Sequence, residues 1–528
     1  MKNKKTIIIS VIIIIILLIY VIYNIAIRKI KKQDNIELAT KEKIISYDLR
    51  VGIINFDTVN PIISENTNIQ NVSRLIFEPL IDLTEDYRLE ACLAKEWTQL
   101  DKNNYILKLQ DDVKWQDGKK FDADDVIFTV NIIKKLKNKS VYYANVQNIK
   151  NIKKIDENTI KITVSNESSD FEYNLIFPII SSKYYNEDNF NSTNKNTNPV
   201  GTGKYYISDV ENEEIILKKN TNWWKDEQLK LDTIKIKKYD NVKKEIDAIK
   251  MDDIDIMASS LNNIDEYLKD SQCNQIKYIG RNYDYIAINC NNKILKDNKI
   301  RQALSYIINK DEIIKDVYDD KYVKSEFPLD FGSYIYSKNS FKTEVDTEKA
   351  KKILEEAGWK YINNKWIKGK EILRVKILVN KENENRIKVC EKIKEELEKE
   401  GIMVDILKEE NKKYKEKLNN GNYEIALTGS TYSFSTALEN YFDDENINNY
   451  KNNEITKILK NINSNESEEE NKIELSKMLK IYGEEVPFIS LYYDTVTLIT
   501  SNKLKGNIKP NSYNIFNNIE TWYREYDK

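Results

Sequence analysis

Histidine is absent from this sequence of 528 residues. Without an imidazole, the chain has no Ser-His-Asp or Cys-His nucleophile pair and no histidine ligand for zinc. The commonest hydrolase and metalloenzyme chemistries therefore lack a required part, and an enzyme would have to act through carboxylates or lysine. We predict no catalytic residue, no metal ligand and no cofactor.

Cysteine is scarce and scattered, with four residues at positions 92, 273, 290 and 390. The spacing fits neither a CxxC metal site nor the disulfide framework of a small secreted fold. Cys92 and Cys390 lie among aliphatic residues, which is typical of buried packing positions. A bridge between Cys273 and Cys290 is left open.

An excess of charge of either sign is also missing. Lysine and arginine number 83 against 85 acidic residues, so the net charge of -2 creates no global field that would attract nucleic acid. We find no basic stripe interleaved with aromatic residues, and nucleic acid is excluded as a predicted partner. The apolar content of 41% over this length is enough for two or more domains with substantial cores.

One long apolar run is present, over residues 7–27, and it is rich in isoleucine, valine and leucine. About twenty residues span the hydrocarbon of a bilayer, whereas a signal-peptide core is typically about 7 to 15 residues long. No small-x-small cleavage pattern follows. We therefore expect an uncleaved transmembrane signal anchor at 7–27, followed by a charged stalk at 28–43.

The clearest local pattern covers residues 105–130, which read YILKLQDDVKWQDGKKFDADDVIFTV. Residues 105–109 predict a strand, and Asp117-Gly118 supplies the positive φ that a tight turn needs. Asp122 is a predicted helix N-cap, and the two aspartates that follow it favour the positive end of the helix dipole. A strand, a turn and a capped helix are expected in this order.

This segment resembles the family 5 extracellular solute-binding proteins, the oligopeptide, dipeptide and nickel receptors of ABC importers. Their pattern here is roughly L-R-D-D-V-K-F-H-D-G-x-P-x-T-A-D-D-V-x-F. The resemblance runs from about Val51 to the C-terminus and keeps the family order. Further similar motifs are LEACLAKEWTQ, PVGTGKY, RQALSYIINKDEI and DTEKAKKILEEAGW.

The resemblance implies an α/β protein with a two-lobed periplasmic-binding-protein type II fold and an extra domain inserted in the first lobe. One N-terminal transmembrane helix, expected from the apolar run at 7–27, would precede this body. Lobe I is expected to comprise residues 44–82, 197–288 and 494–528, the inserted domain residues 83–196, and lobe II residues 289–493. Two chain crossings, near Asn289 and Asp494, would form the hinge.

Lysines on both sides of residues 7–27 give no orientation by charge. Because the similar receptors work outside the cytoplasmic membrane, the resemblance implies that residues 1–6 are cytoplasmic and that the body is extracellular. The expected location is the cell membrane, with a single span.

In the peptide receptors of this family, a cleft strand W-x-A-D-Y-x-D-P follows Y-D-x-x-L-x-G, and its Asp holds the ammonium of the ligand. Here YEIALTG is kept, but Ser433 stands at the Asp position. Removing one partner of a buried ion pair costs roughly 3 to 5 kcal/mol. One hypothesis is a ligand that is neutral, N-blocked or bound through hydroxyl groups. Alternatively, the strand is degenerate, or Glu439 replaces the Asp from a shifted register.

The candidate ligand-binding residues follow from this resemblance. Hydroxyl groups near the strand supply hydrogen bonds, and aromatic residues supply apolar walls. Arg74 could reach the cleft, although an arginine on a helix more often forms an ion pair between lobes or at the surface. The predicted set is Asn55, Phe56, Gly429, Ser430, Thr431, Tyr432, Ser433, Phe434 and Tyr493.

The expected function is a monomeric receptor that binds a peptide or peptide-like solute, delivers it to ABC permease subunits and performs no catalysis. A transport-deficient sensor or maturation protein with the same fold is the alternative. A carboxylate-based hydrolase would rest only on acidic pairs such as Asp111-Asp112, and adjacent carboxylates of this kind are usually helix caps or solvated charges.

Overall fold

The computed structural model describes residues 18–29, 43–55, 58–166, 170–190, 198–211, 214–329, 333–336, 341–431, 434, 438–442, 446–464 and 467–527. The described chain forms an α/β structure built around one large mixed sheet. Three smaller sheets and a two-stranded ribbon surround it.

The strands are numbered in chain order. They are β1 Lys43–Ser46, β2 Asp48–Ile54, β3 Ile81–Leu83, β4 Leu89–Ala91, β5 Ala94–Asp101, β6 Asn104–Leu109, β7 Ile149–Asp156, β8 Thr159–Val164, β9 Tyr205–Glu211, β10 Glu214–Lys219, β11 Thr233–Tyr239, β12 Ile256–Ser259, β13 Cys273–Ile288, β14 Val323–Lys324, β15 Lys360–Ile362, β16 Lys365–Lys368, β17 Glu371–Ile372, β18 Arg374–Asn380, β19 Met403–Glu409, β20 Ile425–Thr431, β21 Phe488–Ser501, β22 Leu504–Lys505 and β23 Tyr523–Asp527.

The α-helices after residue 43 are numbered in the same way. They are α1 Thr67–Ile76, α2 Ala123–Leu136, α3 Tyr143–Val146, α4 Val242–Lys250, α5 Ile264–Leu268, α6 Asn298–Ile307, α7 Lys310–Tyr318, α8 Thr347–Glu356, α9 Glu384–Lys399, α10 Asn411–Asn419, α11 Glu439–Phe442, α12 Asn453–Ser464 and α13 Glu468–Glu485.

The large sheet has the order β19-β18-β20-β13-β21-β12-β2-β11-β10-β9, with β14 added beside β21. Its centre is the antiparallel pair of β13 and β21, which are 16 and 14 residues long. One half of this pair adjoins β12, and the other half adjoins β20. The register between the two strands shifts near residues 279–285, where the two halves of the sheet meet.

Two hydrophobic clusters cover opposite faces of the β20 half of the sheet. One packs helices α6 and α9 against one face, and the other includes residues of α12 and α13 on the opposite face. Alternate residues of a strand point to opposite faces, so neighbouring tyrosines separate: Tyr492 joins the first cluster and Tyr493 the second. This separation matters for the position of the candidate ligand residues.

A separate four-stranded sheet, in the order β5-β6-β8-β7, packs with α2 in the segment that the sequence assigned to the inserted domain. The local pattern of residues 105–130 is confirmed. The strand is Asn104–Leu109, Gly118 has a φ of 84°, and Asp122 caps α2 by accepting a hydrogen bond from the Asp124 N–H.

The prediction that a single transmembrane span places the protein in the cell membrane is wrong for the residues that the structure describes. Part of the expected anchor, residues 7–17, lies outside the described residues, and residues 18–29 are helical. Within the described ranges, no helix is long and apolar enough to cross a membrane.

Candidate functional site

A polar pocket lies beside the ends of parallel strands in the β20 half of the sheet. Strand β18 runs parallel to both β19 and β20. Crevices outside the carboxyl ends of parallel strands are the usual ligand sites of α/β sheets, and here the N-terminus of α9 follows β18 directly. The pocket has a volume of about 320 Å³ and is lined by Asn282, Asp284, Tyr318, Tyr322, Asn383, Asn385, Arg386, Gly429, Ser430, Thr431 and Tyr492.

A bidentate ion pair between Arg386 and Asp284 forms one wall of this pocket. Arg386 Nε donates to Asp284 Oδ2 at 2.9 Å, and Arg386 Nη2 donates to Oδ1 at 2.6 Å. Burial lowers the Arg386 pKa, but the hydrogen bonds and attraction to Asp284 outweigh burial and raise it. The guanidinium matches the two carboxylate oxygens, so the two hydrogen bonds hold the pair in one geometry.

Gly429 makes room for this ion pair. It lies opposite Asp284 in the pairing of β13 with β20. A Cβ atom at this position would collide with Asp284 Oδ1 and Arg386 Nη2. The predicted cleft glycine therefore lies at the pocket, and its lack of a side chain lets the two charges pass across the strand.

Three tyrosines, Tyr318, Tyr322 and Tyr492, also line the pocket. The rings of Tyr318 and Tyr322 are stacked with centroids 3.8 Å apart, and the Tyr318 hydroxyl is 3.0 Å from the Tyr492 hydroxyl. Tyr492 also donates a longer hydrogen bond, of 3.4 Å, to Asp284 Oδ2. Burial raises the pKa of Tyr322 to about 12, so its hydroxyl remains a neutral donor.

The N-terminus of α9 adds amide groups. Asn383 caps the helix by accepting a hydrogen bond from the Arg386 N–H at 3.0 Å, and Asn385 lies exposed in the first turn. Together with Asn282 and the ion pair, these amide groups supply both hydrogen-bond donors and hydrogen-bond acceptors. The arrangement suits a polar solute.

A metal site is not evident in the part of the chain that the structure describes, where no group of three or more cysteine, aspartate or glutamate side chains is arranged to hold an ion.

The comparisons with known proteins agree with this architecture. Residues 88–449 match the family model of bacterial extracellular solute-binding proteins, family 5, middle region. The chain belongs to family 5 of the bacterial extracellular solute-binding proteins. It is therefore a solute-binding protein of the ABC-importer type, and its known relatives are binding proteins rather than enzymes.

Individual family 5 proteins are similar along most of the chain. The oligopeptide-binding protein AppA of Bacillus subtilis is 24% identical over 498 residues, which cover 90% of this chain and 91% of AppA. NikZ from Campylobacter jejuni, solved in complex with Ni(L-His), is 25% identical with a TM-score of 0.62 and covers 91% of this chain and 100% of NikZ. The unliganded open form of MppA, a periplasmic murein tripeptide binding protein, has a TM-score of 0.77 at 20% identity, covering 92% and 99% of the two chains.

The structure brings three of the predicted ligand residues together at the described pocket. Gly429, Ser430 and Thr431 end strand β20 and line the cavity. Ser430 Oγ lies 2.9 Å from the Tyr441 hydroxyl, so its hydroxyl already has a partner. Thr431 is exposed.

Other predicted residues lie apart from the pocket. Tyr493 is buried on the opposite face of the sheet, where its hydroxyl donates to the Pro328 carbonyl at 2.6 Å. Asn55 directly follows β2 in the other half of the sheet with a φ of 51°, and its carbonyl accepts a hydrogen bond from the Asn66 amide at 3.0 Å. Phe434 packs at 5.3 Å from the Tyr87 ring, away from the pocket lining.

Three predicted residues, Phe56, Tyr432 and Ser433, lie outside the described residues. Glu439 begins α11, but its side chain is likewise outside the description. The three explanations for Ser433 at the Asp position, namely an altered ligand, a degenerate strand or replacement by Glu439, therefore stay predictions.

Sequence reasoning missed Asp284, Arg386 and the stacked tyrosines. A usable signal was the single carboxylate of Asp284 within the otherwise apolar strand Tyr283–Ile288, because a charge in a buried strand requires a partner. The partner could not be found by spacing, since Arg386 is 102 positions away.

Proposed function

We propose that this family 5 protein captures a peptide or peptide-like solute in its cleft and delivers it to ABC permease subunits, acting as a monomer and without catalysis. The observation that supports this most is the polar pocket at the ends of β18 and β20, which combines an ion pair, amide groups and tyrosine hydroxyls. Such a set hydrogen-bonds the peptide-like groups of a small ligand.

The domain arrangement is part of the proposal. Lobe I comprises residues 44–82, 197–288 and 494–528, the inserted domain residues 83–196, and lobe II residues 289–493. The pairing of β13 with β21 supports this arrangement, because only these two long strands of the described sheet order join its two halves. Closure around the solute then requires a rotation at their crossing.

The proposed solute has no free amine at its N-terminal end, because the lining of the described pocket offers no free carboxylate to hold an ammonium group. Ser433 occupies the sequence position of the family's ammonium-binding Asp, and the Asp284 carboxylate in the pocket is already held by Arg386 through two hydrogen bonds. A free ammonium would compete with a guanidinium for the same carboxylate. An N-blocked or neutral end avoids this competition.

Calorimetry on the full-length chain tests the proposal with tri- to hexapeptides and their N-acetylated counterparts. We expect binding that does not depend on the free amine. Asn385→Ala should weaken it by about 3- to 10-fold, the effect of one lost hydrogen bond. The exposed Asn419→Ala is the matched control and should bind as the wild type does. Tight binding that requires a free amine would contradict the proposed solute class, and the absence of any binding would contradict the proposed function.

A transport-deficient sensor or maturation protein is the second candidate, and the replacement of the anchor Asp by Ser433 favours it. Genes for permease and ATPase subunits beside this one would support transport, and their absence would support the second candidate.

A further inference from the structure

A small three-stranded sheet presents an apolar and basic face to solvent. The sheet consists of β15, β16 and β17, which pair antiparallel in this order. The pairing places Lys360 opposite Ile367, Ile367 opposite Ile372, and Ile362 opposite Lys365. Residues opposite each other in an antiparallel pair share a face, and so do alternate residues along a strand. One face therefore carries Lys360, Ile362, Lys365, Ile367 and Ile372, and we call these residues the isoleucine face.

The other face of this sheet is packed against the protein. Trp366 and Leu373 are buried in the hydrophobic cluster that contains α6 and α9. Trp366 Nε1 donates a hydrogen bond to the Glu400 carbonyl at 2.8 Å, and the Tyr361 ring lies 5.2 Å from the Trp366 ring. These contacts fix the orientation of the sheet, so the isoleucine face points away from the core.

The three isoleucines of this face form an apolar strip on the surface. Ile362 and Ile372 are 45% and 41% exposed, and Ile367 is half-buried. Among the described residues, the hydrophobic clusters include none of the three. Ile367 lies opposite Ile372 and is the diagonal neighbour of Ile362. Single exposed isoleucines are normal, but adjoining ones gain free energy when another surface removes them from water.

Lysines without carboxylate partners surround this apolar strip. Lys360 and Lys365 lie on the isoleucine face, Lys370 lies in the turn between β16 and β17, and all three are exposed. Within the described ranges, none of these lysines forms an ion pair. Glu371 alternates with Ile372, so it has the opposite orientation, and it pairs with Lys293. The isoleucine face thus combines apolar side chains with a net positive charge.

The size of the isoleucine face favours a lipid surface over a protein as its partner. A stable protein interface buries roughly 800 Å² on each partner and involves about 20 to 30 residues a side. The three strands here have 3, 4 and 2 residues. Contact with a bilayer needs no such area, because apolar side chains enter the headgroup region and the lysines beside them attract anionic lipids.

The isoleucine face lies at the other end of the strands from the described pocket. The Trp366 N–H donates to the carbonyl of Gly401, which precedes β19, and Arg374 begins β18 shortly after β17. The pocket adjoins the carboxyl end of β18, which has seven residues and therefore spans roughly 20 Å. A contact made by the isoleucine face thus leaves the pocket open to solute.

We propose that the isoleucine face docks this protein onto an anionic bilayer surface. The isoleucines enter the headgroup region, and Lys360, Lys365 and Lys370 lie among the lipid phosphates. Such docking is peripheral and needs no transmembrane helix. The inference goes beyond the proposed function and does not depend on the solute. A receptor held at the bilayer in this way reaches a membrane-embedded permease by a lateral search.

Lysine footprinting by mass spectrometry on the full-length chain tests this docking. Acetic anhydride is used at low extent, and the labelling rate of each lysine is compared between two kinds of vesicle. One contains equal parts of phosphatidylglycerol and phosphatidylcholine, and the other contains phosphatidylcholine alone. We expect slower labelling of Lys360 and Lys365 with the anionic vesicles, while the exposed Lys412 on α10 is labelled equally with both. The readout is local, so contacts made elsewhere in the chain do not affect it.

Variants of the isoleucine face show which side chains make the contact. Ile362→Thr combined with Ile372→Thr keeps β-branched residues in the strands but should remove most of the protection of Lys360. Lys365→Gln should raise the lipid concentration for half-maximal protection of Lys360 about fivefold. Ile155→Thr is the control, because Ile155 is an exposed isoleucine of β7 in a separate sheet, and it should leave the protection unchanged.

The possible outcomes decide between a bilayer and other partners. Equal protection by both kinds of vesicle, or protection by neither, would overturn the docking surface. Equal protection by soluble polyglutamate would assign the face to an acidic polypeptide and would also overturn it. Unchanged protection in the double threonine variant would show that the isoleucines do not enter the bilayer. Peptide binding, measured separately by calorimetry, should equal that of the wild type in every variant, so the proposed function stands or falls independently.

Discussion

At the scale of single residues, Gly429 is explained by an ion pair rather than by a turn. The side chains of Asp284 and Arg386 cross over its Cα, and a methyl group there would collide with both. We expect Gly429→Ala to lower the free energy of unfolding by about 1–3 kcal/mol, the usual effect of overpacking, and to weaken solute binding. Urea unfolding and calorimetry measure the two effects.

Gly369→Ala is the matched control for this substitution. Gly369 has a φ of 65° but no atom near the place of a Cβ, so only backbone strain should appear, at about 1–2 kcal/mol, and binding should not change. Equal losses of binding in both variants would contradict the role of the ion pair.

The second prediction at the scale of single residues concerns the buried carboxyl group of Glu245. It lies on α4 with only 2% of its surface exposed, and among the described residues its Oε2 has no hydrogen-bond partner. Burial raises its pKa from 4.5 to about 8. The folded chain therefore binds this proton more tightly than the unfolded chain does. The resulting stability is fully present below about pH 4.5 and is lost as the pH rises through about 8.

Glu245→Gln keeps the shape of the side chain and removes its titration. Near pH 8 the variant should be more stable than the wild type by about 2–4 kcal/mol, and the gain should shrink towards pH 5. Urea unfolding at several pH values measures this. Glu416→Gln, at an exposed position, is the control and should show no such trend. A gain that is independent of pH would contradict the assignment.

At the scale of elements, the capping pattern of helix α2 predicted its N-cap but not the buried hydrogen bonds of its first turn. The sequence predicted Asp122 as the N-cap and Asp125 only as a charge in the first turn. Asp125 is completely buried, however, and its carboxylate accepts hydrogen bonds from Trp115 Nε1 at 3.0 Å, the Ser182 N–H at 2.8 Å and Lys183 Nζ at 3.0 Å. It joins the helix to the chain that follows β8.

We therefore expect unequal effects of removing the two neighbouring charges. Asp125→Asn should destabilise the protein by about 3–4 kcal/mol, because it breaks a buried charged network. Asp124→Asn removes an exposed ion pair with Lys154 and should cost at most about 1 kcal/mol. Chemical denaturation of both variants tests this, and similar losses would show that only the helix dipole matters.

The difference between local and long-range contacts explains which features could be predicted from the sequence. The Asp122 cap and the Gly118 turn depend on neighbours within a few residues, so their patterns are visible in the chain. The Asp284–Arg386 pair depends on the alignment of β13, β20 and α9, which no local pattern records. Hydropathy alone predicted a membrane span, and that prediction was wrong for the helix that the structure describes.

At the scale of the whole molecule, the crossing of β13 and β21 joins the two halves of the large sheet. Their register shifts between Ile279 and Tyr283, and the intervening Asn282 donates from its N–H and its amide to the Asp494 carboxylate at 2.8 and 2.6 Å. Gly280 leaves room for this carboxylate, since a Cβ atom there would collide with it. An irregular, locally locked crossing is a suitable place for a hinge.

If the lobes close around the solute, changes at Gly280 and Asp494, which do not line the pocket, should affect binding through this lock. Gly280→Ala displaces the Asp494 carboxylate, and Asp494→Ala removes it, so either change should loosen the crossing and weaken N-acetyl-trialanine binding by about 3- to 10-fold. Because both act through one contact, the double variant should be no weaker than the worse single variant. Calorimetry gives the affinities, and small-angle X-ray scattering should show a solute-induced compaction that is smaller in all three variants. Additive losses in affinity, or full compaction in the variants, would show that the two residues act independently of lobe closure.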